Sequence, residues 1–390
     1  MFKLLKKLLT IFFNLRIYFK NPSQCDFVIY DRTIGKALKS YLDLNKFFIL
    51  ETRKESLYLF LFFKSLFKNK SNWNYKSYIN EVILKVRPKI IITNIDNNKN
   101  FWSLKKKFIK IKTIFVQNGF RHNNNDIFAE LNKNDEKKYL VDKMFVFNDE
   151  VGKKYSNYIT GDIIPIGSLN NNRIVIKKEK SEGILFISEW GPNRRWINRS
   201  VESKNNFFYP EKYLFSLLVD FASKNKIKLN VLGRPEKIGF PDDKKEEVNF
   251  FYEIAGNKNW NYLNTLGTGD ESYNLIDSSN LIVTISSTLG YESLARGKKT
   301  AFFSCRGLKM KNSNAYNFAW PSDLPDNGPF WSNGDDPKDF DRIMNNLIQL
   351  KQQEWLKVVE PFLSKCMNYD YGNSKFLKEM KNLKVPTKNN

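Results

Sequence analysis

Short apolar runs alternate along this chain with longer stretches in which apolar and charged positions recur at helical spacing. In the first half the runs are Phe27–Tyr30, Phe47–Leu50, Ile90–Asn94, Thr113–Gln117 and Lys143–Phe147. In the second half they are Gly183–Ser188, Lys228–Leu232, Leu281–Ile285 and Lys299–Phe303. Runs that are apolar at nearly every position are strands buried on both faces, as in a parallel sheet covered by crossover helices. Helices are predicted over Tyr78–Val86, closed by Pro88, over Tyr213–Lys224, and across Asp339–Lys365. The turn-rich stretch PIGSLNNN (165–172) and the charged link Lys177–Glu182 divide the series in two. The expected fold is α/β, with two Rossmann-like doubly wound domains facing a central cleft. The expected boundaries are 23–170 for the first domain, 178–345 for the second and 346–390 for C-terminal helices and a tail that frays beyond Val385.

The first 22 residues break this rhythm. In MFKLLKKLLTIFFNLRIYFK, helical spacing places Lys3, Lys6, Lys7, Thr10 and Asn14 within roughly 100° of arc and apolar side chains around the rest. The uncharged run is far below the ~20 residues of a membrane span. The pattern predicts a basic amphipathic helix lying on an anionic membrane surface. A second apolar segment, LYLFLFFKSLF (57–67), is also short for a span and is expected to be a buried helix, a membrane-docking patch being the rival reading.

Composition changes this picture little. Lys and Arg number 64 against 41 Asp and Glu, a formal charge of +23. Such a field attracts phosphates, although the Lys, Asn, Ile and Phe bias of the whole chain accounts for much of it. The basic residues are dispersed and form no nucleic-acid-binding motif, so nucleic acid is not an expected partner. Cys25, Cys305 and Cys366 show no paired spacing, which suits a reducing, cytoplasmic setting. A single histidine, His122, excludes a histidine-rich metal site, and no metal is expected.

The chemistry is expected just beyond the strand ends, where a doubly wound sheet binds ligands. LIVTISSTLGYESLA (281–295) runs from a strand through Ser286, Ser287, Thr288, Leu289 and Gly290 into a helix carrying Glu292. Free N–H groups at a helix start, with small hydroxyl residues, make a phosphate seat, and Glu292 is placed for ribose hydroxyls. Gly233 and Arg234 follow the strand KLNVL, where the arginine can grip a phosphate through two N–H groups. Glu189 and Arg194 lie in the loop after the second domain's first strand. On the acceptor side, Asp96, Asn97 and Asn98 follow the strand KIIIT, and Gln117, Asn118 and Gly119 follow TIFV. Asp96 is the expected general base, since a sugar hydroxyl needs a carboxylate within reach; Asp31 and His122 are the weaker alternatives. Trp320-Pro321 and Gly328–Trp331 form an aromatic segment suited either to ring stacking or to packing, and Asp335-Asp336 reads as a turn into a helix cap.

These stretches together resemble bacterial surface-carbohydrate biosynthesis proteins of the GT-B glycosyltransferase type. The resemblance rests on TNIDNNKNF (93–101), FVQNGFR (115–121), PIGSLNNN (165–172), the strand ending in Gly233-Arg234, SSTLGYESLARGKKTAFFS (286–304) and FAWPSDLPDNGPFW (318–331), which span most of the chain. It departs at Ser168-Leu169-Asn170, where an aromatic residue and an arginine are expected. The resemblance implies the fold and the reaction class, glycosyl transfer, and leaves the substrate open. The expected reaction moves a sugar from a nucleotide-activated donor to a lipid-linked or surface glycan acceptor. Helix N-termini and Arg234 are expected to stabilise the departing phosphate, so no metal or other cofactor is expected, and the basic N-terminal helix is expected to place the protein at the inner face of the cytoplasmic membrane. Nucleotide-sugar epimerisation or polyol-phosphate transfer on the same fold is the alternative.

Overall fold

A computed structural model describes residues 15–69, 72–122, 126–177, 181–191, 207–234, 241–256, 258–265, 270–309 and 316–388. Each expected strand is present. The first half contains β1 (Arg16–Tyr18), β2 (Phe27–Tyr30), helix α1 (Lys36–Tyr41), β3 (Phe47–Leu50), β4 (Ser56–Tyr58), α2 (Leu59–Asn69) and α3 (Tyr75–Val86). It continues through β5 (Ile90–Thr93), β6 (Lys112–Val116), β7 (Tyr139–Val146), α4 (Asp149–Ser156), β8 (Ile159–Pro165) and α5 (Leu169–Arg173). The second half contains β9 (Ile184–Ile187), α6 (Tyr209–Lys224), β10 (Leu229–Leu232), α7 (Pro241–Ala255), β11 (Trp260–Leu263), α8 (Asp270–Asp277), β12 (Leu281–Thr284) and α9 (Thr288–Ala295). Then follow β13 (Thr300–Phe303), β14 (Trp331–Ser332), α10 (Pro337–Gln349), α11 (Gln352–Cys366) and α12 (Ser374–Asn382).

Two six-stranded sheets result, ordered β3-β2-β5-β6-β7-β8 and β11-β10-β9-β12-β13-β14. All their pairings are parallel. The central strands β5, β9, β12 and β13 are buried at every position, which is why each reads as an unbroken apolar run. Several helices start where a side chain replaces a missing backbone partner. Asn74 accepts from Ser77 N–H ahead of α3, Asn148 from Val151 N–H ahead of α4, and Asp336 from Lys338 N–H ahead of α10. The last of these bears out the reading of Asp335-Asp336 as a cap.

The C-terminal part departs from the expected division. After α11 the chain returns to the first domain: Phe376 and Met380 of α12 share a core with Ile29, Leu38, Ile92, Ile114 and Phe145. The expected frayed tail is held as well, since Thr387 bridges to Leu42 and Lys388 N–H donates to Tyr41 O at 2.8 Å. The aromatic segment is packing rather than platform: Phe330 and Trp331 are buried.

At the N-terminus, residues 1–14 of the expected amphipathic helix lie outside the described residues. Its remainder is not helical, because Arg16–Tyr18 form β1 and pair in parallel with β4. The segment 57–67 is also not a buried helix. Tyr58 ends β4, and α2 buries only Leu61 and Ser65 while turning Phe60, Phe63 and Phe67 outward. No described helix is long and apolar enough to cross a membrane.

Candidate active site in the interdomain cleft

Counted from β9, the second sheet has the strand order of a dinucleotide-binding fold, and its direction of winding reverses between β9 and β12. Ligands bind in the crevice outside the carboxyl ends of such a pair. Here that crevice is a cleft of about 720 Å³ lined by residues of both domains.

Glu189, just past β9, ties the two strand ends together. Its carboxylate accepts from Ser286 N–H at 2.6 Å and from the Ser286 hydroxyl at 3.1 Å. Buried Arg306 holds Glu189 and Glu211 at 3.1 and 3.0 Å. Ser287 caps α9 by accepting from Leu289 N–H, so the hydroxyl and N–H of Thr288 open the helix on the cleft floor. Across from it, Phe120 of the first domain stacks on Tyr291 with ring centroids 3.8 Å apart and planes 4° from parallel. Phe120 N–H donates to the Thr288 hydroxyl at 3.0 Å. A stacked pair of this kind adds roughly 1 kcal/mol beyond its burial and sets the approach of the two domains.

At one side of the cleft, Lys36 and Arg173 of the first domain both pair with Asp270 of α8. Beside them, Glu292 of α9 accepts from the hydroxyls of Ser168 and Tyr273. Burial pushes the Glu292 carboxyl up to about 7 against those hydrogen bonds and the charge of Arg296. Ser168 stands where the resemblance led to expecting an aromatic residue, and its hydroxyl joins the domains at that point.

The acceptor-side candidates separate sharply. Asp96 is fully buried, and its carboxylate accepts from Asn118 N–H at 3.2 Å, Arg121 Nε at 2.8 Å, the second Arg121 nitrogen and the Tyr155 hydroxyl. With every acceptor direction engaged and no surface on the cleft, it fixes the loop rather than taking a proton from a ligand. The expectation of Asp96 as base is therefore corrected. Asp31 is likewise closed off by Thr33 N–H, Thr52 and Arg53, each at 2.8 Å. Burial alone would raise its carboxyl, but these donors outweigh burial and hold it below the ordinary value. Asn97 reaches Asp126, Asn98 caps the short helix Lys99–Trp102, and Gln117 braces Gly119 and Phe147. None of the three lines the cleft.

Asn118 and His122 do line it. Among the described residues His122 Nδ1 has no hydrogen-bond partner. Burial first, then Arg306 and Arg121, lower the imidazole below its ordinary value against the pull of Asp126 and Glu189. His122 is accordingly neutral at pH 7 and able to accept a proton.

On the donor side Ser286, Ser287, Thr288, Leu289, Glu292, Glu189, Gly233 and Arg234 all line the cleft. Arg194 lies outside the described residues. The two glycines have packing reasons. A Cβ at Gly233 would meet the Tyr262 hydroxyl at 1.8 Å, and one at Gly290 would meet Thr284 Cγ2 at 2.4 Å. Gly290 lets α9 lie close on β12 and is not part of the phosphate seat. Sequence reasoning did not single out Lys36, Phe120, Arg173, Asp270 or Tyr273. Lys36 and Phe120 follow expected strands closely and could have been weighed, whereas α8 follows a strand, β11, that the pattern did not reveal.

Two parallel doubly wound domains with a ligand crevice between their strand ends define the GT-B fold of nucleotide-sugar enzymes. Residues 114–384 match a family described as "putative O-antigen biosynthesis protein", and the chain belongs to that family of surface-carbohydrate biosynthesis proteins. Two solved structures of variants of the wall teichoic acid polymerase TagF share the fold. One is 14% identical with a TM-score of 0.51, the other 12% with 0.50, each covering 92% of this chain and 89% of that one. S. aureus MnaA in complex with UDP is 14% identical over 93% of this chain and 98% of that one, with a TM-score of 0.48. No curated protein matches the sequence.

Proposed function

We propose that this protein transfers a sugar from a nucleotide-activated donor to a membrane-associated glycan acceptor at the inner face of the cytoplasmic membrane. The observation that carries the reading is the cleft at the β9–β12 switch point, with Thr288, Arg234 and Glu292 on one wall and neutral His122 on the other. The donor diphosphate sits at the start of α9 against Arg234, and the ribose hydroxyls meet Glu292. His122 accepts the proton of the acceptor hydroxyl as its oxygen bonds the anomeric carbon. The anomeric carbon–oxygen bond breaks, and the nucleoside diphosphate leaves with the electron pair. The helix start and Arg234 receive that charge, the arrangement of a transferase that works without a metal ion.

Epimerisation is the rival reaction. It requires proton-transfer groups on both faces of a sugar ring; among the described residues His122 is the candidate on the first-domain wall, and Glu189, Asp270 and Glu292 are the carboxyl groups on the other. Polyol-phosphate transfer would use the same donor wall. The test is incubation of the full chain with nucleotide sugars and a lipid-linked acceptor, with product analysis and nucleotide thermal-shift measurements. Labelled sugar in the lipid fraction is expected. An epimerised nucleotide sugar, a transferred phosphate, or no stabilisation by any nucleoside diphosphate would reject the assignment.

A further inference from the structure

Helix α2 carries an apolar face that nothing in the described fold covers. Phe60, Phe63 and Phe67 are 62%, 47% and 76% exposed. At about 100° per residue, Phe63, Phe67, Phe60, Lys64 and Lys68 form one continuous outer arc, phenylalanines along one side and lysines along the other. Phe19, 82% exposed, adjoins it: β1 and β4 pair in register, Tyr18 and Tyr58 stack at 5.0 Å, and their next residues are Phe19 and Leu59. Single exposed apolar residues are ordinary, but clustered phenylalanines on adjoining elements mark a contact surface.

The charge around this face selects the partner. Lys64 and Lys68 pair at 3.1 and 2.9 Å with one carboxylate, that of buried Glu81, which leaves a positive charge over. Arg16 lies in β1 and Lys20 just beyond it, and the sequence of residues 1–20 also holds Lys3, Lys6 and Lys7 and no acidic residue. A second copy of the chain would set like charge against like across a two-fold contact. An anionic surface complements it.

We propose that the α2–β1 face docks on an anionic lipid bilayer. The phenylalanines enter the boundary between headgroups and acyl chains while the lysine stems reach back to the phosphates. The inference rests on the reading of a membrane-associated acceptor and names the surface that meets the membrane. β4 begins shortly beyond the carboxyl end of β3, and Arg53 in that connection pairs with Asp31 at the end of β2. The face therefore begins toward the end of the first sheet that opens on the cleft and runs from there along α3, so docking brings that domain, and the cleft it borders, to a lipid-linked acceptor.

The test is co-sedimentation of the full chain with phosphatidylcholine vesicles, with and without phosphatidylglycerol, for the native sequence and for Phe60→Ser/Phe67→Ser. Both positions are exposed, so the variant keeps its fold, and unchanged stabilisation by nucleoside diphosphates checks this. Expected are preference for the anionic vesicles and at least about tenfold weaker binding by the variant. Native-like vesicle binding by the variant would overturn the proposal, since residues 1–14 or another surface would then be the anchor. So would indifference of the native chain to anionic vesicles. A dimer that the variant converts to monomer, with vesicle binding unaltered, would show that a second copy covers the face. Transfer to a water-soluble acceptor analogue is measured alongside, and its absence with vesicle binding intact would count against the proposed reaction and leave this face standing.

Discussion

Glu292→Gln isolates one charge at the junction of the two domains. The carboxyl sits among Ser168, Tyr273 and the backbone of α9, and burial raises it from 4.5 to about 7. A carboxyl with a raised folded-state pKa binds its proton more tightly in the folded chain. Its stabilising contribution is complete below pH 4.5 and is lost as the pH rises through about 7. That displacement corresponds to roughly 3 kcal/mol. Glutamine keeps the shape, still accepts from the Ser168 hydroxyl and never ionises. Urea denaturation should therefore find the variant about as stable as the native chain at pH 5 and about 3 kcal/mol more stable at pH 8. At pH 8, where the native carboxyl is ionised, nucleoside diphosphate affinity should fall by at least about tenfold, because the charged acceptor for the ribose hydroxyls is gone. Stability curves that run parallel between pH 5 and pH 8 would refute the burial argument, and unchanged nucleotide affinity would remove Glu292 from the donor site.

Other substitutions separate chemistry from scaffolding. His122→Gln should lower turnover by about 100-fold or more with nucleotide affinity nearly unchanged, measured by steady-state kinetics and calorimetry. In the native chain, turnover should hold at pH 7 and fall only on acidification below the ordinary histidine range, because the His122 imidazole is lowered. Asp96→Asn should cost up to about 3–5 kcal/mol in denaturation experiments by leaving buried Arg121 only its longer pairing with Asp126, an effect on folding rather than on turnover alone. Gly290→Ala should destabilise by about 1–3 kcal/mol through its clash with Thr284, read as a lowered urea midpoint.

The central strands were legible because they are buried on both faces and have almost no polar positions to interrupt them; edge strand β3 was legible because FFIL is apolar throughout although Ile49 is exposed. β8 and β11 were missed because they lie at sheet edges, where ITGDIIP and WNYL mix polar with apolar residues. The donor wall was legible because Ser286–Glu292 is a local unit: strand end, cap and helix start follow in unbroken sequence. The acceptor wall was not. Whether Asp96 or His122 meets the cleft depends on Arg121, which pairs with Asp96 across 25 positions, while the neighbouring His122 Nδ1 has no hydrogen-bond partner among the described residues. Gly290 shows the same limit, since a glycine that approaches a ligand and one that approaches Thr284 read alike until the packing is known.

The return of the C-terminus to the first domain bears on how this protein is made. Helix α12 supplies Phe376 and Met380 to the core around β2, β5 and β6, and Asp43 N–H donates to Pro386 O at 3.2 Å. A ribosome releases the chain from its beginning at roughly 5–20 residues per second, and domains ordinarily fold in the order they emerge. Here the second domain has every described strand of its sheet by Ser332, whereas the first still awaits residues synthesised after that sheet. Of the two domains, the one translated earlier is thus completed after the other's sheet, and until α12 arrives the part of the Ile29, Ile92 and Phe145 core that Phe376 and Met380 cover stays open on the nascent chain. A stop codon just before residue 374 would leave the cleft residues encoded and the first domain unsealed.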